Sequence, residues 1–372
     1  MKTVAVVYGT RPEAIKLAPV IVELRKNQNI HTTVICSGQH KEMLEGIMEL
    51  WDLAPDISID YNFDSGHSSS IPGLMIELEK VFLKLSPDFV LVQGDTATAT
   101  AAALQAHALH IPVGHVEAGL RSGNLWNPWP EEANRRIIDA ISSLHFAPTK
   151  LSAKNLEIEG HGVTTTITGN TVVDALIHSS AVLDKHPEVK CSLETLLGFS
   201  LQEEFILFTQ HRREGFSGGQ TQVFKAILEL AKLGNKVVFP VHLNPLVQDK
   251  VNEMLSDKHG IHLIPPQSYL PFLELIRNCG LIISDSGGLQ EEAPTFGKEI
   301  LITRLTTERP EVIESGYGYL VGYDSEEITR MALSKVGSPS KLLINPSPFG
   351  NGDSAAEISR SISNFLSDSI EE

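Results

Sequence analysis

The sequence predicts an α/β protein built from two Rossmann-like, doubly wound domains. The chain has 372 residues, more than one hydrophobic core usually supports, because cores stop growing near ~250–300 residues. Short, nearly continuous apolar runs alternate with helical stretches, as in parallel sheets that helices cover on both faces. Six such runs occur in each half of the chain. Each half therefore has enough strands for a sheet of its own.

The predicted strands form two sets. The first set is residues 3–8, 32–36, 89–93, 113–116, 144–147 and 164–168. The second set is residues 205–209, 236–241, 261–264, 281–284, 299–303 and 319–321. The boundary between them predicts an N-terminal domain at 1–169 and a C-terminal domain at 170–353.

The last segment predicts a helix over residues 355–366. Ser354 and Glu357 have the spacing of a capping box, and the apolar residues after them share one face. In two-domain folds of this kind, we expect such a segment, 354–368, to pack back on the first domain.

Composition and charge exclude several classes of protein. A hydrophobic content of 42% and a charged content of 20% are typical of a soluble globular chain. The net charge, 30 − 46 = −16, disfavours a nucleic-acid binder, although a local cationic pocket can still bind phosphate. The cysteines, Cys36, Cys191 and Cys279, have no paired spacing, which favours reduced thiols in the cytoplasm. No window approaches the ~18 apolar residues of a membrane span, and the N-terminal apolar run is too short for a signal peptide.

Two cofactor fingerprints are absent from the sequence. No Gly-x-Gly-x-x-Gly follows the first strand, and there is no Walker A motif. We therefore expect no cofactor, and the unpaired spacing of the cysteines likewise indicates no metal site. Doubly wound sheets still bind ligands at the carboxyl ends of their strands, so the functional residues are sought there.

Polar residues follow the first predicted strand. The segment 9–13 reads Gly-Thr-Arg-Pro-Glu, and Lys16 comes within the helix that follows. A glycine turn, a helix N-terminus and the cations Arg11 and Lys16 are typical of an anion site. The alternative is a capped turn whose two cations are only solvated.

Two carboxylates follow the third and fourth strands. Asp95 lies in Gln-Gly-Asp-Thr (93–96), and Glu117 lies in His-Val-Glu-Ala-Gly (115–119). Both are expected to face one crevice. Asp95 could instead cap the helix that starts near Thr96, whereas glutamate is not a preferred capping residue.

A loop rich in glycine and proline comes next. Pro130, Glu131 and Glu132 fit an ordinary helix start. That account does not explain Trp126 and Trp129 beside them, whereas a binding loop would.

Polar segments also follow strands of the second half, at 210–215, 241–245, 285–294 and 306–311. In the third of these, Ser286, Gly287 and Gly288 open a helix whose backbone N–H groups can approach a pyrophosphate. Glu292 is placed to accept hydrogen bonds from ribose hydroxyls. The histidine and two arginines of 210–215 could bind phosphate, or they could be loop residues without a ligand.

In chain order, these segments resemble the non-hydrolysing UDP-N-acetylglucosamine 2-epimerases, and the match runs nearly end to end. The segments are 9–16, 92–96, 114–121, 128–132, 168–172, 211–214, 240–245, 285–294 and 306–311. That family is similar in fold to the GT-B sugar-nucleotide transferases. The resemblance implies two Rossmann-like, doubly wound domains facing a central cleft, and usually a homodimer. It also implies interconversion of UDP-GlcNAc and UDP-ManNAc by elimination and re-addition of UDP through 2-acetamidoglucal.

The resemblance implies roles for individual residues as well. UDP would lie on the second domain and the sugar in the cleft. The diphosphate would contact Arg11 and residues 286–288, the ribose Glu292, and the uracil residues 270–272. The residues implied in the chemistry are Asp95, Glu117, Glu131 and His211. Those implied in substrate binding are Arg11, Lys16, Arg135, His242, Phe272, Ser286, Gly287, Gly288, Glu292 and Arg309.

The sequence departs from the family at two places. Gln210 stands where the family usually has glycine before His211, and His67 stands near the position of a glutamine that many members carry. In bacterial relatives that glutamine, with a pair matching Gln39 and His40, lies near a second UDP-GlcNAc site that activates the enzyme. The substitution predicts weak or absent activation.

Three alternatives stay open at this level. They are a hydrolysing 2-epimerase that releases free ManNAc, a GT-B glycosyltransferase, and a UDP-sugar sensor without chemistry. The near-complete set of motifs disfavours the first. Asp95 and Glu117 at neighbouring strand ends disfavour the second, and intact chemistry residues disfavour the third.

Overall fold

The computed structural model describes residues 1–38, 41–59, 61, 67–210, 219–241, 245–337 and 347–368. Two parallel sheets, each interleaved with helices, confirm the predicted fold class. The chain divides into two compact units, Met1–Ile177 with Phe349–Glu372, and His178–Pro348.

The first unit holds seven strands in the described residues, in the order β3-β2-β1-β4-β5-β6-β7. The strands are β1 (Lys2–Tyr8), β2 (Ile30–Cys36), β3 (Ile57–Ser58), β4 (Phe89–Gln93), β5 (Val113–Val116), β6 (Leu144–Ala147) and β7 (Thr165–Ile167). The helices between and after them are α1 (Arg11–Arg25), α2 (Lys41–Leu50), α3 (His67–Leu85), α4 (Ala97–Ala108), α5 (Glu131–Ile141), α6 (Lys150–Ile158) and α7 (Thr171–Leu183).

One strand of this sheet was not predicted. β3 is only two residues long, and it exists because Ile57 and Ser58 pair in register with Ile35 and Cys36 at the end of β2. A strand this short leaves no pattern in the sequence. The prediction of six strands in the first half is therefore wrong by one.

The second unit holds six described strands in the order β10-β9-β8-β11-β12-β13. They are β8 (Phe205–Thr209), β9 (Lys236–Pro240), β10 (Ile261–Ile264), β11 (Leu281–Ser284), β12 (Ile300–Ile302) and β13 (Gly318–Leu320). Its helices are α8 (Pro187–Leu197), α9 (Gly219–Lys232), α10 (Pro245–Leu255), α11 (Tyr269–Asn278), α12 (Gly287–Glu292), α13 (Pro310–Glu314) and α14 (Ser325–Lys335). Phe208 packs its ring against Phe239 and Phe224, at centroid distances of 4.5 and 6.0 Å, in the core of this unit.

The C-terminal helix, α15 (Ser354–Asp368), packs on the first unit. Phe365 lies edge-on to Phe89 at 5.6 Å, and Asn27 donates to the Ser363 hydroxyl at 3.1 Å. The helix begins one residue earlier than predicted, so Glu357 lies outside the capping-box position and pairs with Arg360 instead.

The first unit also extends beyond the predicted boundary at residue 169. Asp174, on α7, accepts a hydrogen bond from the backbone N–H of Ala355 at 2.9 Å. The backbone N–H of Asn170 donates to the Phe349 carbonyl at 2.8 Å. These bonds tie the start of α7 and the segment before α15 to the same unit.

Each sheet has a point where its strand order reverses. In the first unit this point lies between β1 and β4, and in the second between β8 and β11. Doubly wound sheets bind ligands outside the carboxyl ends of the strands at such points. The segments after these strands are among those that the sequence singled out. None of the helices in the described ranges has the length and apolar character to cross a membrane.

Candidate active site

A buried carboxylate holds the turn after β1. Glu13 is 1% exposed, and its Oε2 accepts hydrogen bonds from the backbone N–H groups of Gly9 and Thr10, at 3.1 and 2.7 Å. Its Oε1 accepts from the Thr96 hydroxyl at 2.6 Å. Burial raises the pKa of Glu13, although these donors act in the opposite direction. Glu13 thus ties the turn after β1 to the residue that follows Asp95.

Glu117 lies at the end of β5 with two donors on one oxygen. The Lys16 ammonium, on α1, donates to Glu117 Oε2, and the Gln93 amide donates to the same atom at 2.6 Å. The side chains of Lys16 and Glu117 are only 11% and 9% exposed. The Glu117 backbone has a φ of +69°, which is unfavourable for a residue with a side chain. Arg11, the first residue of α1, follows the turn after β1 and is partly exposed.

Asp95 is paired with an arginine of α5. Arg135 Nε lies 2.9 Å from Asp95 Oδ2, and the Asn134 amide donates to the Asp95 carbonyl at 2.8 Å. Asp95 does not cap α4, because the Thr96 hydroxyl accepts from the Ala99 N–H at 3.0 Å instead. The Asp95 side chain is 28% exposed, so it can meet a ligand while its direction is held.

The two glutamates at the start of α5 differ in their surroundings. Glu132 is fully buried, and its carboxylate accepts from Arg135 at 2.8 Å, Arg136 at 3.2 Å and the Ser122 N–H at 2.9 Å. It therefore positions Arg135, a role that the sequence did not suggest. Glu131 has a buried Oε2 without a hydrogen-bond partner in the described part of the chain.

A second buried network lies behind β5. His115 Nδ1 is 2.6 Å from Asp139 Oδ1, and both side chains are fully buried. Asp139 Oδ2 accepts from Arg121 at 2.7 Å and from the Gly119 N–H at 3.2 Å. Burial alone would raise the pKa of Asp139, but the charges of His115 and Arg121 outweigh burial and lower it to about 2. His115 is part of the recognised motif, but nothing in the sequence pointed to Asp139.

The tryptophan loop is exposed, as a binding loop would be. Trp126 and Trp129 are 78% and 55% exposed. The peptide bonds before Pro128 and Pro130 are both cis.

In the second unit, hydroxyl groups order the turn after β11. Thr209 and Ser284 are hydrogen-bonded at 2.7 Å, and the Ser284 hydroxyl accepts from the Ser286 N–H at 2.9 Å. Ser286 is the N-cap of α12. A Cβ added to Gly288 would meet no atom closer than 3.8 Å. The start of α12 therefore has an open approach on that side, which suits a bulky anion.

Neighbouring glutamates of α12 face different surroundings. Glu291 is 1% exposed and forms an ion pair with Arg309 Nε. Glu308 accepts two hydrogen bonds from Arg304, each 2.9 Å, and lies 3.7 Å from Arg309. Burial opposes ionisation of Glu308, but the two arginines outweigh it and lower its pKa to about 2. Glu291 and Glu308 thus fix the direction of the Arg309 guanidinium.

Glu292 and Phe272 are both only partly buried. Glu292 is the last residue of α12, and Phe272 lies in the first turn of α11, where its N–H donates to the Ser268 carbonyl at 3.0 Å. A partly exposed carboxylate and aromatic ring are available to a ligand, unlike Glu291.

Several predicted residues lie outside the described part of the chain. They are Gln39, His40, His211 and His242. His67 begins α3, but its side chain is also outside the description. Within the described ranges, no group of three or more His, Cys, Asp and Glu side chains is arranged to hold a metal ion.

Comparison with known proteins gives a consistent result over almost the whole chain. Residues 22–363 match the family model described as UDP-N-acetylglucosamine 2-epimerase. The chain is similar to the UDP-N-acetylglucosamine 2-epimerase of Neisseria meningitidis serogroup A, with 42% identity over 95% of this chain and 96% of the relative. It is 39% identical to the enzyme of that name from Escherichia coli K12, over 97% of this chain and 98% of the relative.

A solved structure agrees with these relatives. The crystal structure of UDP-GlcNAc 2-epimerase from Neisseria meningitidis bound to UDP-GlcNAc is similar to this chain, with a TM-score of 0.91 and 41% identity. The likeness covers 98% of this chain and 100% of that one.

Proposed function

The chain belongs to the UDP-N-acetylglucosamine 2-epimerase family and is an isomerase; from that premise we propose how it inverts C2 of the sugar. The substrate is UDP-GlcNAc and the product UDP-ManNAc. The enzyme eliminates UDP to give 2-acetamidoglucal, and then adds UDP back after a proton has returned to the other face of C2. The observation that carries this mechanism is the pair of held carboxylates, Glu117 on Lys16 and Asp95 on Arg135, at neighbouring strand ends.

The position of the proton explains why elimination is needed. The C2 proton is not next to a carbonyl, so direct removal would leave an unstabilised carbanion. Breaking the anomeric C–O bond first gives oxocarbenium character, which acidifies the C2 proton. This route needs cations to stabilise the departing diphosphate and carboxylates to remove and return a proton.

In the first unit, we assign proton transfer to Asp95 and Glu117. Glu131 is assigned to the same catalytic set. A general base must be held at a defined distance and angle from the proton it takes. The contacts of Glu117 with Lys16 and Gln93 support this assignment, as does the contact of Asp95 with Arg135. Arg11 and Lys16 supply positive charge at the turn after β1. His211 completes the proposed set.

In the second unit, we assign UDP to the turns at the switch point. Ser286, Gly287 and Gly288 bind the diphosphate through backbone N–H groups and the Ser286 hydroxyl. Glu292 accepts from the ribose hydroxyls, and Phe272 lies beside the uracil. Arg309 contributes charge in the direction that Glu291 holds. His242 belongs to the same proposed set.

We propose further that the enzyme is a cytoplasmic homodimer. Cys36, Cys191 and Cys279 form no disulfide, which suits a reducing compartment. Light scattering during gel filtration should give a mass of twice the 40.7 kDa chain.

One experiment tests the mechanism against its alternatives. UDP-GlcNAc is incubated with the enzyme in deuterated water and followed by proton NMR. We expect UDP-ManNAc with deuterium at C2 and little free sugar. Protium retained at C2 of the product would contradict the proton-transfer mechanism. Free ManNAc as the main product would indicate the hydrolysing reaction instead.

A further inference from the structure

His115 is completely buried, and both of its ring nitrogens face oxygen atoms. Nε2 lies 2.8 Å from the carbonyl oxygen of Gly94, and Nδ1 lies 2.6 Å from Asp139 Oδ1. A carbonyl oxygen can only accept a hydrogen bond, so Nε2 must carry a proton and donate it. The imidazole therefore connects the turn after β4 to α5.

The bond to Gly94 acts on the peptide that leads into Asp95. The Gly94 carbonyl belongs to the Gly94–Asp95 peptide group. A hydrogen bond to this oxygen therefore fixes the orientation of the peptide plane next to Asp95. Gly94 has a φ of +72°, and its N–H donates to the Val116 carbonyl at 3.0 Å. The turn is thus held on both sides by residues of β5.

The bond to Asp139 acts on the turn after Glu117. Asp139 Oδ2 accepts from the Gly119 N–H at 3.2 Å, two residues beyond Glu117. Arg121 donates to the same oxygen at 2.7 Å. One carboxylate therefore connects His115 to the backbone on the far side of Glu117, and its other oxygen stays on the imidazole.

We propose that His115 is a positioning residue for the epimerisation, which holds the turns that carry Asp95 and Glu117 in one fixed arrangement through the hydrogen bonds of its two ring nitrogens. The inference rests on the proposed function, in which these carboxylates exchange the C2 proton. His115 contacts no part of the substrate in this account. A displacement of about 1 Å in a catalytic group can lower the rate ~10²-fold. A residue that prevents such displacements of Asp95 and Glu117 should therefore have a measurable effect on kcat.

The experiment uses three substitutions of His115 that separate its two bonds. The amide nitrogen of His115→Gln can reach the place of Nε2 and keep the bond to Gly94. The amide nitrogen of His115→Asn can reach the place of Nδ1 and keep the bond to Asp139. His115→Phe keeps the ring and loses both bonds. For each variant, kcat and KM for UDP-GlcNAc, the melting temperature and the isotope effect with C2-deuterated substrate are measured.

We expect His115→Gln to keep kcat within ~10-fold of the unsubstituted enzyme and His115→Asn to lose ~10²-fold, because the Gly94 bond directs Asp95. KM should change little in both. The isotope effect should be larger in His115→Asn, since proton transfer becomes more rate-limiting. His115→Phe, which loses both bonds, should lose at least as much kcat as His115→Asn. A kcat within ~10-fold of the unsubstituted enzyme in His115→Phe, or losses that follow only the melting temperature, would overturn the proposal.

Two controls keep the outcome interpretable. If the unsubstituted enzyme incorporates no deuterium at C2, the proposed function fails. If it does and His115→Phe keeps its kcat, only the positioning role fails. Should the variants not fold, the unsubstituted protein labelled with ¹⁵N-histidine provides the test. An Nε2 of His115 that carries no proton at neutral pH would overturn the proposal, and a slowly exchanging Nε2–H is the expected result.

Discussion

The Lys16 ammonium donates to Oε2 of Glu117, across 101 positions of the sequence. The Gln93 amide donates to the same oxygen at 2.6 Å, and both charged side chains are about nine-tenths buried. A carboxylate with two donors on one oxygen has little freedom to rotate. Such a side chain is suited to meet one proton of a substrate repeatedly from the same direction.

Removal of either carboxylate should therefore slow turnover. Glu117→Gln and Asp95→Asn keep size and some hydrogen bonding but remove the base, so kcat should fall by at least ~10²-fold, the scale of general acid–base loss. Affinity for UDP should change little, since UDP is assigned to the second unit. Initial rates and calorimetry with UDP check the two halves of this prediction. Turnover near that of the unsubstituted enzyme in both variants would defeat the assignment.

The backbone conformation of Glu117 should lower the stability of the fold, and a glycine at this position should remove that strain. Its φ of +69° lies in the left-handed region, which costs an L-residue roughly 1–2 kcal/mol relative to glycine. Glu117→Gly and Glu117→Ala both delete the carboxylate and leave Lys16 without this partner, so they form a matched pair. The glycine variant should melt ~2–4 °C higher than the alanine variant. Equal melting temperatures would show that the strain is not significant.

These residues also show which parts of the site can be predicted from the sequence. The apolar runs and the polar residues after them predicted both sheets and placed Asp95 and Glu117 at strand ends. The partners of these carboxylates lie on other elements, and which elements meet depends on strand order, which spacing along the chain does not encode. Asp139 and Glu132 read as ordinary polar residues of a helix. Only the structure shows that both are fully buried and hold neighbours of the site.

The two neighbouring glutamates of α12 should differ in how their removal affects stability. Glu292→Ala should weaken UDP affinity by ~1.5–3 kcal/mol, the range for a hydrogen bond that involves a charged group. The helix should persist, because alanine is the best helix former. Glu291→Ala is the comparison, and it should lower the melting temperature because it removes one buried partner of the Arg309 charge. Any loss of UDP affinity in this variant should come from the changed direction of Arg309. Unchanged UDP affinity in Glu292→Ala, measured by calorimetry, would contradict the assignment of the ribose to Glu292.

Activation by UDP-GlcNAc should be weak or absent in this protein. The family resemblance implies that activated members use a glutamine near the second site, and this chain has His67 near that position. A neutral imidazole offers one donor and one acceptor, whereas the Gln amide offers two donors and a carbonyl. The initial rate from pure UDP-ManNAc should therefore show no lag. His67→Gln should introduce a lag that a trace of UDP-GlcNAc removes, and a lag already present in the unsubstituted enzyme would contradict the prediction.

The Asp139 network should contribute stability that disappears in acid. The pKa of Asp139 is lowered from its ordinary value of 3.8 to about 2, because His115 and Arg121 outweigh the effect of burial. A carboxyl group with a lowered pKa stabilises the fold above its ordinary pKa and loses that contribution as the pH falls through the lowered one. The shift corresponds to about 2 kcal/mol, so the stability gap between the unsubstituted protein and Asp139→Asn should be constant above pH ~4 and narrow toward pH ~2.

Tryptophan fluorescence can follow this transition, since Trp51, Trp126 and Trp129 all lie in the first unit. Glu159→Gln is the matched control, because Glu159 also pairs with Arg121 but its side chain is 32% exposed. Solvent screens exposed ion pairs, which are typically worth less than ~1 kcal/mol. Its stability gap should therefore be smaller and should change less with pH than that of Asp139→Asn. A gap for Asp139→Asn that stays constant down to pH ~2 would mean that the buried charges of His115 and Arg121 do not stabilise the ionised form of Asp139.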